Sequence, residues 1–125
     1  MKIELPTDCG NAPRITIVSD FVTAWAGRDL ARMFERLADD VVWRIAGGQE
    51  HAGTDAPASA APPAAADRLV LASVITHGRL AACDGHYESG SSTVEFSHVF
   101  RFASTVKTAR IAEVRSYLIE RSVNS

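Results

Sequence analysis

This sequence lacks the features typical of nucleic-acid-binding, membrane-spanning and exported proteins. It has no excess of basic residues, since 13 Lys and Arg stand against 15 Asp and Glu and leave a formal charge of −2. Binding to nucleic-acid phosphates requires a basic face, so nucleic acid is not an expected partner. No apolar run approaches the roughly 20 residues that cross a bilayer. Residues 1–6 lack an apolar signal core and carry an early acid. We therefore expect a cytoplasmic protein with no membrane partner.

Cysteine is scarce as well. Cys9 and Cys83 are far apart, and neither belongs to a Cys-x-x-Cys pair or to a Cys/His spacing typical of zinc sites. We expect free thiols in a reducing compartment, with Cys83 packed as a small hydrophobic residue in an apolar run. The four histidines include no pair at metal-ligand spacing. There is also no phosphate-binding glycine loop and no Gly-x-Ser-x-Gly nucleophile segment. Neither a metal nor a cofactor is expected.

Two short amphipathic helices are predicted after an irregular lead-in over residues 1–12. The first starts at Asn11-Ala12-Pro13, because proline is tolerated at the first helical position, and it ends at Gly27. Asp29 caps the second helix. Both helices carry apolar residues at three- and four-residue steps. These are Ile15, Val18, Phe21, Val22 and Trp25 in the first, and Leu30, Met33, Phe34 and Leu37 in the second.

The rest of the chain is predicted to be mainly β-structure. Residues 55–67 are the exception, because seven Ala and three Pro among these thirteen positions favour a loop or a broken, short helix. Helices first and strands afterwards, joined by hairpin-length turns, indicate one α+β domain over residues 1–125 with a mainly antiparallel sheet. The predicted strands are residues 41–45, 68–76, 79–87, 94–102 and 110–120.

The alternation of side chains along the last two strands assigns their faces. One face is predicted to pack against the helices. It is formed by Phe96, His98, Phe100 and Phe102 of one strand and by Ala112, Val114, Ser116 and Leu118 of the next. The helical residues expected to cover it include Ile15, Phe21, Trp25 and Phe34. The opposite face mixes Ile111, Tyr117, Ile119 and Val99 with charged residues. A mixed surface of this kind favours a homodimer formed through the outer sheet face.

Four short segments occur in an order and spacing that a known superfamily shares. They are Phe21-Val22-x-x-Trp25-x-x-Arg28-Asp29, Leu37-Ala38-Asp39-Asp40-Val41-Val42-Trp43, His51-Ala52-Gly53 and Ala109-Arg110-Ile111-Ala112-Glu113-Val114-Arg115-Ser116-Tyr117. Together they resemble the nuclear-transport-factor-2-like superfamily, a cystatin-like fold shared by SnoaL-like polyketide cyclases, ketosteroid isomerases and limonene epoxide hydrolases. The resemblance covers residues 13–120 and implies a cone in which N-terminal helices pack on a curved sheet around a concave apolar pocket. The superfamily includes enzymes, binding modules and dimerisation domains, so the fold alone does not assign a function.

The sequence also departs from the superfamily's pattern. A third helix usually follows the His-x-Gly segment, where this chain has the Ala/Pro-rich residues 54–67. Members that resemble epoxide hydrolases have a catalytic carboxylate where this chain has Ser116, and their Arg-x-Asp pair has no acidic match near residues 80–82. No acid–tyrosine pair of the ketosteroid isomerase kind can be matched either. These differences disfavour epoxide hydrolysis by the known arrangement.

His98 and Asp84 are the candidate catalytic residues. His98 lies in the apolar phase between two phenylalanines, where an imidazole can serve as a general base or donate a hydrogen bond to a ligand. The alternative is a core histidine satisfied by a protein partner. An inward-facing Asp84 would have its pKa raised by desolvation, which suits proton abstraction. The alternative is that Asp84-Gly85 forms a bend with the carboxylate in solvent.

Five further residues are candidates for ligand binding. Trp43 aligns with a position that points into the pocket in the resembling families, and the alternative is a core position. Phe96 and Phe100 would form pocket walls. Ser116 either donates a hydrogen bond to a ligand or leaves room for helix packing. His51 would lie near the pocket mouth on a glycine-flanked loop, and its alternative is solvent exposure.

The leading hypothesis is therefore a small-molecule-binding SnoaL-like domain. If it is an enzyme, the expected chemistry is cofactor-free proton transfer, such as isomerisation, cyclisation or dehydration, on a small apolar organic molecule. The alternative is a non-catalytic ligand-binding or dimerisation module of the same fold.

Overall fold

The computed structural model describes residues 1–8, 10 and 12–122, and over these residues the chain forms three α-helices and seven strands. In chain order the elements are β1 (Lys2–Glu4), α1 (Pro13–Ala26), α2 (Leu30–Arg36), β2 (Leu37–Ile45), β3 (Glu50–Ala52), α3 (Ala56–Ala60), β4 (Arg68–His77), β5 (Leu80–Ser89), β6 (Ser92–Phe102) and β7 (Ile111–Ser122). The predictions for Cys9 and for Asn11 fall outside the described residues.

The strands form one curved, unclosed sheet in the order β1-β4-β5-β6-β7-β2-β3. The β1–β4 and β2–β7 pairs are parallel and the other four are antiparallel. The helices pack on the sheet, which confirms the predicted α+β class with N-terminal helices on a mainly antiparallel sheet. Within the described residues, no helix has the length and apolar character of a membrane span.

The first two helices follow the predicted signals, with one exception. Pro13 is the first residue of α1, and Asp29 caps α2 by accepting a hydrogen bond from the backbone N–H of Arg32 at 3.3 Å. The prediction that Phe34 packs against the sheet is wrong, because its side chain is 40% exposed and Met33 is the residue of α2 that is buried. The apolar stripe of α2 is cut short, since Leu37 already belongs to β2.

The bounds of β1, β2 and β3 differ from the prediction. Residues 2–4 were expected to be irregular, but they form β1 beside β4. β2 begins at Leu37, four residues before the predicted start at Val41. His51 lies on the short strand β3 instead of a loop, and it is paired in register with Trp43. Strands of three residues are too short to show a hydrophobic alternation, which is why the sequence did not reveal them.

The placement of Ile111 on the outer face is also a wrong prediction. Ile111 is fully buried, because the register between β6 and β7 shifts: Arg101 pairs with Glu113, whereas Phe102 pairs with Ile111. The extra residue, Ala112, reverses the alternation at this point. Since paired residues share a face, Ile111 points inward beside Phe102.

Of the two predicted alternatives for the Ala/Pro-rich segment, a loop or a broken, short helix, the structure shows the second. A single 3₁₀ turn (Gly53–Asp55) leads into α3, and Pro62-Pro63 follows soon after the helix ends. We call residues 56–66 the strap. Three hydrogen bonds attach it to the C-terminal end of α1 and the residues that follow: Trp25 Nε1 to Ala60 O at 3.0 Å, Arg28 Nη1 to Pro62 O at 2.8 Å, and Ala66 N to Ala26 O at 2.8 Å.

Candidate functional site

A buried chain of hydrogen bonds links three adjacent strands on the helix-covered face of the sheet. His98 on β6 is paired in register with Ser116 on β7, and Trp43 on β2 lies next to them. The indole Nε1 of Trp43 donates to Ser116 Oγ at 2.8 Å, and Ser116 Oγ lies 2.7 Å from His98 Nδ1. All three side chains are excluded from solvent.

The hydrogen bonds of Ser116 favour one tautomer of His98. An indole N–H can only donate, so Ser116 Oγ accepts from Trp43. Among the described residues His98 Nδ1 is the only acceptor within reach of the serine hydroxyl, and donation to it satisfies the hydroxyl hydrogen. The imidazole hydrogen is then on Nε2, which has no hydrogen-bond partner among the described residues. Burial lowers the pKa of His98 to about 3, so the ring is neutral at physiological pH.

Aromatic rings enclose His98. Its ring centroid lies 4.4 Å from that of Trp25 in an edge-to-face contact, 5.1 Å from that of Phe96 and 5.9 Å from that of Phe100. A general base works best when its pKa is close to the working pH. A neutral imidazole in this apolar enclosure is therefore better suited to donate a hydrogen bond through Nε2 than to accept a proton.

A groove of about 320 Å³ lies at the strap end of the helix-covered face. Its volume falls within the range of about 300–1,000 Å³ typical of small-molecule sites. The strap supplies one wall, and the inward-facing ends of β5, β6 and β7 supply the other. The residues that line it are Trp25, Ile45, Ser59, Ala60, Ala61, Pro62, Pro63, Tyr87, Val94, Leu118 and Glu120.

Tyr87 and Glu120 are the two ionisable side chains that line the groove. Tyr87 is 6% exposed and packs edge-on against Trp25 at 5.4 Å, and its hydroxyl makes no hydrogen bond to another described residue. Burial, and then the negative charge of Glu120, raise the pKa of Tyr87. The phenol therefore stays protonated at neutral pH and can donate a hydrogen bond, with a carboxylate nearby.

The fold matches many solved structures. A protein of unknown function from Burkholderia xenovorans LB400 gives a TM-score of 0.72 at 13% identity, over 86% of this chain and 82% of that one. One from Mesorhizobium loti gives 0.65 at 23% identity, over 93% and 98%. A candidate ketosteroid isomerase from Kribbella flavida gives 0.67 at 15% identity, over 85% and 77%. The first two are described as NTF2-like, that is, nuclear-transport-factor-2-like.

The chain has the NTF2-like fold. At identities of 23% and below, these likenesses show the fold alone. No protein-family model matches the chain. No curated protein matches it by sequence.

The NTF2-like fold places the two predicted catalytic residues on opposite faces of the sheet. His98 is inward, as the alternation predicted, and its ring is fully enclosed. Asp84 is exposed on the outer face, where its carboxylate accepts a hydrogen bond from Ser73 Oγ. An inward Asp84 is therefore contradicted: on β5, Cys83 and Gly85 take the inward positions. The alternative of a solvent-exposed carboxylate describes Asp84 correctly, although it lies within a strand and not in a bend.

The predicted ligand-binding residues lie deeper than expected or outside the groove. Trp43, Phe96, Phe100 and Ser116 belong to the buried interior, and none of them lines the groove. His51 is half-buried on β3 and does not line it either. Among the described residues, no group of three His, Cys, Asp or Glu side chains could hold a metal ion.

The sequence patterns do not identify the groove residues Trp25, Tyr87 and Glu120 as members of a site. Alternation could have found two of them. Glu120 follows Ser116 and Leu118 on the same face of β7, at the open groove where Leu118 and Glu120 are exposed. Tyr87 lies two residues beyond Gly85 on the inward series of β5. The role of Trp25 depends on the position of the strap, which no periodicity in the sequence predicts.

Cys83 is inert, as its apolar setting predicted. Its side chain is buried, and burial raises the pKa of its thiol to about 12. A thiol that stays protonated at neutral pH is a poor nucleophile. Cys83 therefore contributes packing and no chemistry.

Proposed function

We propose that this protein binds a small, largely apolar organic molecule in the groove beneath the strap. The observation that supports this proposal is the groove itself, which has a volume of about 320 Å³, lining residues of which most are apolar, and Tyr87 among its polar lining residues. Sites for small molecules commonly combine apolar walls with a few polar groups that orient the ligand. This function agrees with the SnoaL-like resemblance of the sequence.

The ligand is expected to carry a hydrogen-bond acceptor such as a carbonyl oxygen. Tyr87 supplies the donor, since its hydroxyl has no other partner among the described residues and its raised pKa keeps it protonated. The carboxylate of Glu120, on the same groove, disfavours an anionic ligand. An uncharged ketone, lactone or similar compound satisfies both conditions.

The experiment is a binding titration of the full chain with a panel of monocyclic and bicyclic ketones, with two matched tyrosine variants. Tyr87→Phe removes the proposed donor, and Tyr117→Phe makes the same change on the outer face. We expect Tyr87→Phe to lower the affinity for the tightest-binding ketone by about five- to tenfold, the contribution of one hydrogen bond. Tyr117→Phe should leave the affinity unchanged. Equal affinities in all three proteins would contradict the assignment of the groove.

A second candidate function, cofactor-free proton transfer, is favoured by the proximity of Glu120 to Tyr87. In this reaction Glu120 removes a proton from the carbon next to the ligand's carbonyl, and Tyr87 donates a hydrogen bond to the enolate oxygen that develops. Return of the proton to another carbon would complete an isomerisation. The bases expected from the sequence, His98 and Asp84, have no part in it.

Deuterium exchange distinguishes the enzyme from the non-catalytic module. The bound ketone is incubated with the protein in D₂O, and incorporation at the carbon next to the carbonyl is followed by NMR. An enzyme incorporates deuterium faster than buffer alone, and Glu120→Gln removes the excess, whereas Glu113→Gln on the outer face does not. Incorporation at the buffer rate would exclude proton transfer on that ketone and leave ligand binding as the function.

A further inference from the structure

His98 carries a buried donor that the fold leaves unused. Its side chain is fully enclosed, and Nε2 has no hydrogen-bond partner among the described residues. Buried polar atoms without a partner are rare in native proteins, and each calls for a physical reason. Ser116 occupies the other ring nitrogen, so the ring cannot rotate to satisfy Nε2 without breaking that contact.

Trp25 connects this donor with the groove. Trp25 is among the residues that line the groove, and its ring packs edge-to-face against His98 at 4.4 Å between centroids. Its indole Nε1 is held by Ala60 O of the strap at 3.0 Å. The strap itself consists mostly of Ala and Pro, so its side chains are small. Hydrogen bonds from Trp25, Arg28 and Ala66 hold it to α1 and the residues that follow.

We propose that the groove has an inner subsite at His98 Nε2, behind Trp25, that takes an uncharged hydrogen-bond acceptor such as a carbonyl oxygen. This inference rests on the proposed function of the groove and adds a second polar anchor to it. Because His98 is fully enclosed and does not line the groove, the ligand's acceptor reaches Nε2 only when Trp25 and the strap shift and the Trp25–Ala60 hydrogen bond breaks.

The surroundings of His98 determine the class of ligand that fits. The ring is neutral and its neighbours Phe96, Phe100 and Trp25 are aromatic, so a charged group would lose its hydration without compensation. A neutral donor at Nε2 matches an acceptor and rejects a second donor. An uncharged acceptor on an apolar body therefore fits, whereas a carboxylate or an ammonium group does not.

Ser116 and Trp43 act as positioning residues for this donor. Trp43 Nε1 donates to Ser116 Oγ, which directs the serine hydrogen to His98 Nδ1 and keeps the imidazole hydrogen on Nε2. Without Ser116, the ring is free to place its hydrogen on either nitrogen. The arrangement thus presents a donor of fixed identity and direction.

The first experiment measures the tautomer by NMR on the ¹⁵N-histidine-labelled full chain. We expect His98 to show the hydrogen on Nε2 throughout pH 5–8 and Ser116→Ala to lose this preference. Ser97→Ala, which removes a hydroxyl bonded to Cys83 O on the outer face, should leave the tautomer unchanged. A hydrogen on Nδ1 in the unmodified protein would overturn the proposal, and this readout does not depend on any ligand.

The second experiment adds two probes of similar shape, cyclohexanone and methylenecyclohexane, of which the ketone alone carries an oxygen acceptor. We expect the ketone to shift the His98 Nε2 resonance and the indole resonance of Trp25, and to bind about fivefold more tightly than the hydrocarbon. Trp25→Phe, which removes the hydrogen bond to Ala60 O, should strengthen ketone binding by about threefold because it lowers the cost of opening.

The outcomes separate the subsite from the groove. A ketone that shifts Tyr87 and leaves His98 Nε2 unchanged would overturn the inner subsite while the proposed function stands. A water exchange cross-peak at Nε2 that persists at saturating ketone would also overturn it, since the acceptor would then be a bound water. If the ketone shifts neither the Tyr87 resonance nor the His98 Nε2 resonance, the result would contradict both the inner subsite and the groove as the binding site.

Discussion

At the scale of single residues, His98 is the group whose ionisation the fold changes most. Burial lowers the pKa of His98 from an ordinary value of 6.5 to about 3. Between these two values the unfolded chain binds a proton that the folded chain does not. Stability contributed by the neutral ring is therefore complete above pH 6.5 and is lost as the pH falls through this window.

The first prediction concerns acid stability. Lowering the pH from 7.5 to 4.5 should reduce the free energy of unfolding by about 3 kcal/mol through His98 alone. Urea titrations of the unmodified protein and of His98→Gln at both pH values measure this effect, because the variant lacks the titrating ring. Identical pH dependence in the two proteins would show that His98 is not held neutral by the fold.

The second prediction concerns Ser116, which is bonded to Trp43 and His98 in the interior. Ser116→Ala leaves two buried polar atoms without their partner, and we expect it to reduce the free energy of unfolding by about 3 kcal/mol. Ser97→Ala, which removes one hydrogen bond from a half-buried position, should cost less than about 1 kcal/mol. A loss at Ser116 no larger than that at Ser97 would contradict the buried chain of hydrogen bonds.

At the scale of elements, the pairing of β4 with β5 depends on Gly85. Leu71 pairs with Gly85 and Ser73 pairs with Asp84, so Ala72 is an extra residue in β4. At this bulge the backbone of β4 approaches β5 closely, and a Cβ added at Gly85 would lie 2.1 Å from Val70 O. Glycine is required here because the space is occupied by backbone, which cannot yield as a side chain would.

The third prediction follows from this close backbone contact between β4 and β5. Gly85→Ala should reduce the free energy of unfolding by more than about 3 kcal/mol or prevent folding, because the two strands must separate. Gly48→Ala is the control, since its added Cβ would meet the Ile45 side chain at an ordinary distance of 3.4 Å. Chemical denaturation of both variants provides the comparison, and equal, small losses would show that the bulge is absent.

Elements with a strong local signal could be predicted from the sequence, and those that depend on pairing could not. Pro13, Gly27 and Asp29 marked the helix ends by local chemistry. The bulges at Ala72 and Ala112 leave no local signal, because each arises from the register between two strands. This is why the alternation placed His98 correctly and Ile111 wrongly.

The candidate site was predictable only in part. Alternation located the inward residues His98 and Ser116, since it depends on one strand at a time. The groove depends on the strap, whose course is set by hydrogen bonds from Trp25 and Arg28 to residues more than thirty positions away. Long-range contacts of this kind are not encoded in any local pattern, so the position of the strap and the role of Trp25 could not be predicted. Alternation alone does place Tyr87 and Glu120 on the same faces as the inward residues of their strands.

At the scale of the whole molecule, the outer face of the sheet is an unpartnered surface with large apolar side chains. Ile75 is 66% exposed, Ile119 is 64% exposed and Tyr117 is 48% exposed. Two charged groups flank β6 on this face: the exposed carboxylate of Asp84 on β5 and the guanidinium of Arg115 on β7. The buried Nε of Arg115 has no hydrogen-bond partner among the described residues. We propose that a second copy of this chain covers this face.

Charge complementarity supports the second copy as the occupant. A two-fold axis parallel to β6 places β5 of one copy over β7 of the other. Asp84 then approaches Arg115 of the partner subunit, and the pairing occurs twice. The apolar side chains between these pairs would be removed from water at the same time.

The fourth prediction tests this dimer by sedimentation equilibrium at micromolar concentration. The unmodified chain should sediment at twice its mass of 13.4 kDa, and Ile119→Asp should sediment as a monomer. Val106→Asp changes an exposed apolar residue of the β6–β7 loop and should remain dimeric. A monomeric unmodified chain would contradict the proposed interface.

The central claim, that the groove is the binding site, is tested most directly by ¹⁹F NMR of the fluorotyrosine-labelled full chain. The sequence contains two tyrosines, and they report on opposite faces: Tyr87 lines the groove, and Tyr117 lies on the outer face. We expect a ketone that binds the protein to shift the Tyr87 resonance and to leave that of Tyr117 unchanged. A bound ketone that shifts Tyr117 alone, or neither resonance, would contradict the claim.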